Sequence, residues 1–133
     1  MAGVATKKPL APVVQVLVMR RDLQLKQRDA LRYASQASLA FIARRAGGGN
    51  PLALSDDELT WLRLLQTQLH LRVHSEAALR DIARRSRRAG LSAHLLTQAQ
   101  LEGAGASATA VCCAIGPAPP AAVRAITGRL PLW

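Results

Sequence analysis

The stretch Val111-Cys-Cys-Ala-Ile-Gly-Pro-Ala-Pro-Pro-Ala-Ala-Val-Arg-Ala-Ile-Thr-Gly-Arg-Leu-Pro-Leu-Trp133 reads as a strand, a sharp turn, a helix and a docked apolar tail. The apolar run Val111–Ile115 is expected to end at Gly116-Pro117, because proline cannot donate to a strand ladder. Val123 and Ile126 then share one side of a short helix and Arg124 takes the other. Pro120 suits the first turn of that helix, and Gly128 suits the position just past its end. Val13–Met19 is a second run of β-branched and apolar residues, the mark of a strand covered on both faces. Two such strands, with amphipathic helices between them, point to an α/β fold.

Working outward, the 133-residue chain has the length of one domain: a tail over 1–11 and a single domain over 12–133. Half of the residues are hydrophobic but only 3% are aromatic, so the core has to be built from Ala, Leu, Val and Ile. Asp29–Arg45 has helical periodicity, with Ala30, Leu31, Ala34, Ala37, Ser38, Phe41 and Ile42 as its buried stripe. Gly47-Gly-Gly-Asn-Pro51 stops it. No Lys-Ser/Thr follows the glycines, so they are not a phosphate loop. Ser55-Asp-Asp-Glu58 is a capping box that opens a short helix through Trp61, Leu62 and Leu65. Gln68–Val73 alternates as a strand does. A further helix over 75–88 buries Leu79, Ile82, Ala83 and Ser86, and Ala89-Gly90 closes it. A strand over 92–96, a small-residue loop over 98–108 and the strand from Ala110 to Ile115 complete the order βααβαββα. The expected architecture is three-layer α/β/α around a small four-stranded mixed sheet.

Charge is the second signal. Eighteen basic residues, fifteen of them Arg, face eight acidic ones, for a net charge of +10. Such an excess fits phosphate binding, since Arg grips phosphate through two donors and each contact releases a counterion. With so few aromatics, a binder that stacks bases on rings is disfavoured. Cys112 and Cys113 are neighbours on a strand, point to opposite faces and cannot be bridged to anything distant, which fits a reducing, cytoplasmic setting. The run after Lys7-Lys8 contains Pro12 and Gln15 and lacks a small-residue cleavage site, so a signal peptide is not expected. No segment has the length of a membrane span. His70 and His74 lie four apart without a third ligand, so neither a metal site nor a cofactor is expected.

Several stretches together resemble one family. "AIGPAP…ITGRLPL" resembles the "IGPAP…VTGHLKL" ending of type 2 peptidyl-tRNA hydrolases, and "VLVMRRDLQL" resembles their first strand and its exit. "ASQAS" stands where the family has "CSHAA", and "RRAGLSAHLLTQA" is similar to "LGLPTYLVQDA". The resemblance spans about residues 12–133 and implies the same fold and element order. It also implies peptidyl-tRNA as substrate, cleaved at the ester between peptide and tRNA.

The family's active-site wording is largely replaced. Its first helix opens on a segment with Lys and Gln four apart, and an acidic residue follows its third strand. Here Asp29 stands at the lysine position, Tyr33 at the glutamine and Gln36 at the histidine. Gln98 stands at the aspartate, and Leu101-Glu102 at the family's Arg-Thr. Asp29, Tyr33, Gln36 and Gln98 are thus the catalytic candidates by position. Exchanging a cation for an anion beside a phosphate-bearing substrate reverses the local electrostatics. Weak or lost turnover is therefore expected, with a non-catalytic tRNA- or RNA-binding protein on the same scaffold as the alternative. The expected nucleic-acid contacts are Arg20, Arg21, Lys26, Arg28 and Arg32 around the exit of the first strand. A competing surface is the arc Arg80, Arg84, Arg87 and Arg88, whose ordinary reading is a solvated helix face. The partners implied are tRNA or peptidyl-tRNA, with a homodimer left open and no membrane.

Overall fold

The computed structural model describes residues 12–46, 53–103, 105 and 107–133; the tail (1–11) and the glycine stop (47–51) lie outside them. The elements are β1 (Val14–Arg20), α1 (Gln27–Ser38), α2 (Ala40–Ala46), α3 (Asp56–Arg63), β2 (Gln68–Val73), α4 (Glu76–Arg88), β3 (Ala93–Thr97), α5 (Gln98–Glu102), β4 (Ala110–Ala118) and α6 (Pro120–Thr127). The four strands form one mixed sheet in the order β2-β1-β4-β3. β1 runs parallel to β2, with Val16 opposite Leu69, while β4 is antiparallel to both β1 and β3. The two apolar runs are therefore the two interior strands.

Side chains of a strand alternate between faces, and the sheet sorts its core accordingly. Val16, Val18, Cys113 and Ile115 pack with Leu79 and Ile82 of α4 and Val123 of α6. Leu17, Met19, Cys112 and Ala114 pack with Ala30, Tyr33 and Ala37 of α1 and Leu101 of α5. Helices thus cover both faces, the three layers the patterning implies. A smaller cluster joins Val13 to Phe41 of α2 and Trp61 of α3, whose rings meet edge-on at 6.0 Å.

Structure and periodicity differ in four places. The long first helix is two helices, broken at Leu39, a C-cap that is 56% exposed. The Ser38 carbonyl, orphaned at that break, accepts from the buried Gln15 side chain of β1 at 3.0 Å. Tyr33 takes the buried position that the stripe gives to Leu31, which is exposed. α3 ends at Arg63 and leaves Leu65 in solvent, because the Gln66 amide donates to the Leu62 and Leu64 carbonyls at 2.6 and 2.7 Å. The loop expected over 98–108 begins as α5, opened by a capping box between Thr97 and Gln100. The Ser55–Glu58 box forms as read.

β4 does not stop at Gly116 but runs on to Ala118. Pro117 is tolerated because it falls where the pairing with β1 shifts register, between Val14 and Val16. Gly116 sits at φ +87, and a Cβ there would meet the Ala118 nitrogen at 2.8 Å and the Val14 oxygen at 2.9 Å. Gly128 is the C-cap of α6 in a right-handed conformation, not a left-handed residue past its end. Its glycine is required by space, since a Cβ would come within 2.6 Å of the Arg124 carbonyl oxygen.

The last residues dock along β2. Leu132 bridges to Leu71, Arg72 N–H donates to the Pro131 carbonyl at 3.0 Å, and Trp133 N–H donates to the His70 carbonyl at 3.0 Å. Along the opposite side of the sheet, Arg44 of α2 donates to the Leu95 carbonyl and Arg87 of α4 to that of Ala93, both at 3.0 Å.

Candidate functional site

The exit of β1, the first half of α1 and the end of α5 meet on one side of the sheet. Asp29, Arg32 and Tyr33 stand three and four positions apart on α1 and so share a face. Glu102, the last residue of α5, comes against that face. Its Oε1 accepts from Arg32 Nη2 at 2.6 Å and from the Tyr33 hydroxyl. Arg32 also lies 3.8 Å from Asp29 Oδ1, and Arg28 lies 3.7 Å from the same atom. The Arg32 guanidinium stacks 5.2 Å from the centre of the Tyr33 ring, a cation–π arrangement. Tyr33 is buried, whereas the Asp29, Arg32 and Glu102 side chains keep 28%, 50% and 32% exposure, so solvent reaches the carboxylates. Glu102 Oε2 has no protein partner among the described residues.

The other two positional candidates make no hydrogen bond within this cluster. Gln36 and Gln98 are both exposed, and neither side chain bonds to another described residue. Glu102 was legible only as half of the Leu101-Glu102 replacement; the signal that places it is the Thr97-x-x-Gln100 capping box, which turns a loop into a helix.

The basic residues divide sharply. Arg20 is not an open phosphate donor: its side chain is 10% exposed and fully engaged. It donates to both Asp22 oxygens, at 3.1 and 2.6 Å, and to the Ala110 carbonyl at 3.0 Å. The Asp22 hydrogen bonds raise the Arg20 pKa, and Arg20 in turn holds the Asp22 carboxyl below its ordinary value. Arg21, Lys26, Arg28 and Arg32 are exposed. Arg21 lies 4.7 Å over the Trp133 ring, and these two residues, with Gln24, Leu25 and Gln27, line a cleft of about 520 Å³. The cleft opens at the start of α1, where the N-cap Lys26 gives no side-chain cap, leaving backbone amides free for an anion. In the competing arc on α4, Arg80 is paired with Glu76 and Arg84 with Asp81, while Arg87 bonds to Ala93. Most of that arc is engaged within the protein.

Burial pushes the Cys112 and Cys113 thiols up to about 12, which makes them packing groups rather than nucleophiles. Among the described residues no three His, Cys, Asp or Glu side chains are grouped to hold a metal ion. No described helix is long and apolar enough to cross a membrane.

The family model described as "Peptidyl-tRNA hydrolase PTH2" matches residues 13–133. The chain belongs to the type 2 peptidyl-tRNA hydrolase family. Comparison with curated proteins gave no significant match. Among solved structures, a protein of unknown function from Agrobacterium tumefaciens str. C58 is similar in fold. It shares 17% identity at a TM-score of 0.60, over 93% of this chain and 99% of that one. Against the peptidyl-tRNA hydrolase pattern, the structure adds one point to the exchanges at positions 29 and 98. A cation and a carboxylate meet here as Arg32 and Glu102, about one turn beyond positions 29 and 98 on their helices.

Proposed function

We propose that this chain is a peptidyl-tRNA hydrolase of reduced turnover, which holds tRNA at Arg21, Lys26 and Arg28 and cleaves the ester beside Glu102. The observation that carries the reading is the Asp29–Arg32–Tyr33–Glu102 cluster, half open to solvent beside an uncapped helix start. Ester hydrolysis needs an activated water and a donor for the developing oxyanion. Glu102 Oε2 accepts the proton of the attacking water, with Tyr33 and Arg32 fixing the carboxylate through Oε1. Arg32 lies beside the reacting carbonyl and stabilises the charge that collects on its oxygen. The proton then passes to the departing ribose oxygen, leaving free peptide acid and tRNA. Asp29 puts an anion beside the phosphate-bearing substrate, which is why turnover is slow.

The second reading is tRNA binding without turnover, and one observation favours it. Asp29 puts a negative charge where the family carries a cation. The test for both is release of peptide from purified peptidyl-tRNA, beside a family enzyme with the full Lys/Gln/Asp set. Slow release that follows enzyme concentration supports the first reading. Tight tRNA binding with no release supports the second, and absence of tRNA binding defeats both.

A further inference from the structure

The face of the sheet away from the Asp29–Glu102 cluster carries a second concentration of positive charge. Arg85 of α4, Arg124 in the last turn of α6 and Arg129 just beyond it line one cleft of about 420 Å³, with Ile82, Ile126 and Leu130. Ile82 is buried and the other two apolar residues pack on the same core, so the wall bearing the arginines is anchored. The three arginines are exposed. Arg85 has a long ion pair with Asp81 Oδ2 at 3.8 Å, and it shares that one carboxylate with Arg84, which holds Oδ1 at 2.7 Å. Arg124 and Arg129 have no ion-pair partner among the described residues.

Helix dipoles explain part of this, since a cation in a last turn is stabilised by the terminal carbonyls. They do not explain the convergence. The α4 end is already closed by its own backbone, with Leu91 N–H donating to Ser86 and Gly90 N–H to Arg87, at 2.9 and 3.0 Å. Arg129 belongs to no helix. Three like charges converging on one cleft repel one another until an anion joins them, and a phosphate accepts several guanidinium N–H groups at once.

We infer that the Arg85–Arg124–Arg129 cleft is a second phosphate site, which takes a backbone phosphate of tRNA on the α4/α6 face. The inference rests on the reading of this chain as a tRNA-binding protein. The site lies across the sheet from the reacting ester and contributes affinity and orientation, not chemistry.

The experiment uses the full chain in three forms: unaltered, R85Q/R124Q/R129Q, and a charge-matched control, R63Q/R84Q/R88Q. Binding of deacylated tRNA is followed by fluorescence anisotropy over a salt series, with circular dichroism as a check on folding. Each lost phosphate contact lowers the slope of log affinity against log salt by about 1. The cleft variant is expected to lose about 2–3 from that slope, and the control less than about 1. Equal loss in both variants, or loss in neither, overturns the inference while leaving the proposed function intact. Failure of the unaltered chain to bind tRNA removes both. A parallel titration with inorganic phosphate, followed by the arginine Nε–H resonances, separates the sources. A phosphate response lost in R85Q/R124Q/R129Q without any change in tRNA binding would assign the cleft to free phosphate and overturn the tRNA assignment.

Discussion

Two arginine–carboxylate clusters flank the end of β1, and they differ in completeness rather than in kind. In the first, Arg20 grips Asp22 and the Ala110 carbonyl, while Glu76 accepts from the Ala110 N–H at 2.8 Å. Both polar groups of Ala110 are thereby held, and β4 starts at a fixed place. The Ala110 amide and the Arg80 bond keep the Glu76 carboxyl below its usual range. In the second, Arg32, Tyr33 and Asp29 surround Glu102 but leave one of its oxygens and much of the arginine to solvent. The first cluster fixes backbone because its arginine is buried and both arginine and Glu76 bond to Ala110. An open one can trade partners with a substrate. The same residue types thus build the sheet end in one place and a candidate active site in the other.

The largest effect should come from breaking the closed cluster. Arg20→Met leaves the buried Ala110 carbonyl and the partly exposed Asp22 without their donor, and an unsatisfied buried acceptor costs about 1–3 kcal/mol. Denaturant unfolding measures it; an unchanged midpoint would mean that the cluster does not hold the strand. Glu102→Gln sharpens the other side. Removal of a general base should lower peptide release by about 10²-fold, with the thermal midpoint nearly unmoved because the side chain is partly exposed. A loss of both activity and stability would make Glu102 a structural residue.

Acid should separate the clusters next. Asp22 is held low first by its hydrogen bond to Arg20, and Glu76 first by the Ala110 amide. Burial alone would raise Glu58, but Arg45 and the Ser55 amide more than offset it and hold that carboxyl low as well. A carboxyl depressed in the folded state stabilises fully above its ordinary value and loses that stabilisation as pH falls. The loss should therefore run from about pH 4 downward. Asp22→Asn should lower stability at neutral pH and make this acid limb shallower; an unaltered limb would place the proton uptake elsewhere. The smallest effect belongs to Asp29→Asn. Lys26, not Asp29, occupies the N-cap of α1, so a first-turn charge and two long, exposed ion pairs to Arg28 and Arg32 are lost, about 1 kcal/mol in all. If Asp29 orients the attacking water, release stops in this variant. If release persists, Glu102 suffices.

The sheet was legible because its signals are local: unbroken apolar runs for β1 and β4, alternation for β2, and two capping boxes, of which only that at Ser55 was read. What stayed hidden depends on distant partners. Nothing near Leu39 announces a helix break that Gln15 makes from another strand, and Pro117 looks like an end until the register shift with Val14 is seen. The positional candidates Asp29 and Tyr33 reach the cluster, while Gln36 and Gln98 make no hydrogen bond in it. Glu102 and Arg32 were visible residues whose meeting required α5 to exist. Arg20 read as a surface cation because a count of charges carries no burial.

The bonds along the outer strands set how copies of this chain can meet. On β2 the tail from Pro131 to Trp133 occupies backbone groups that an incoming strand would use, and on β3 two arginines, reaching from opposite layers, fill the Ala93 and Leu95 acceptors. Strand-to-strand addition between molecules is blocked on both sides. Pairing of two copies through either outer strand would have to displace these contacts. Truncating Arg44 and Arg87 together would free only the β3 side, enough for a closed pair of copies but not for open-ended stacking while the tail covers β2.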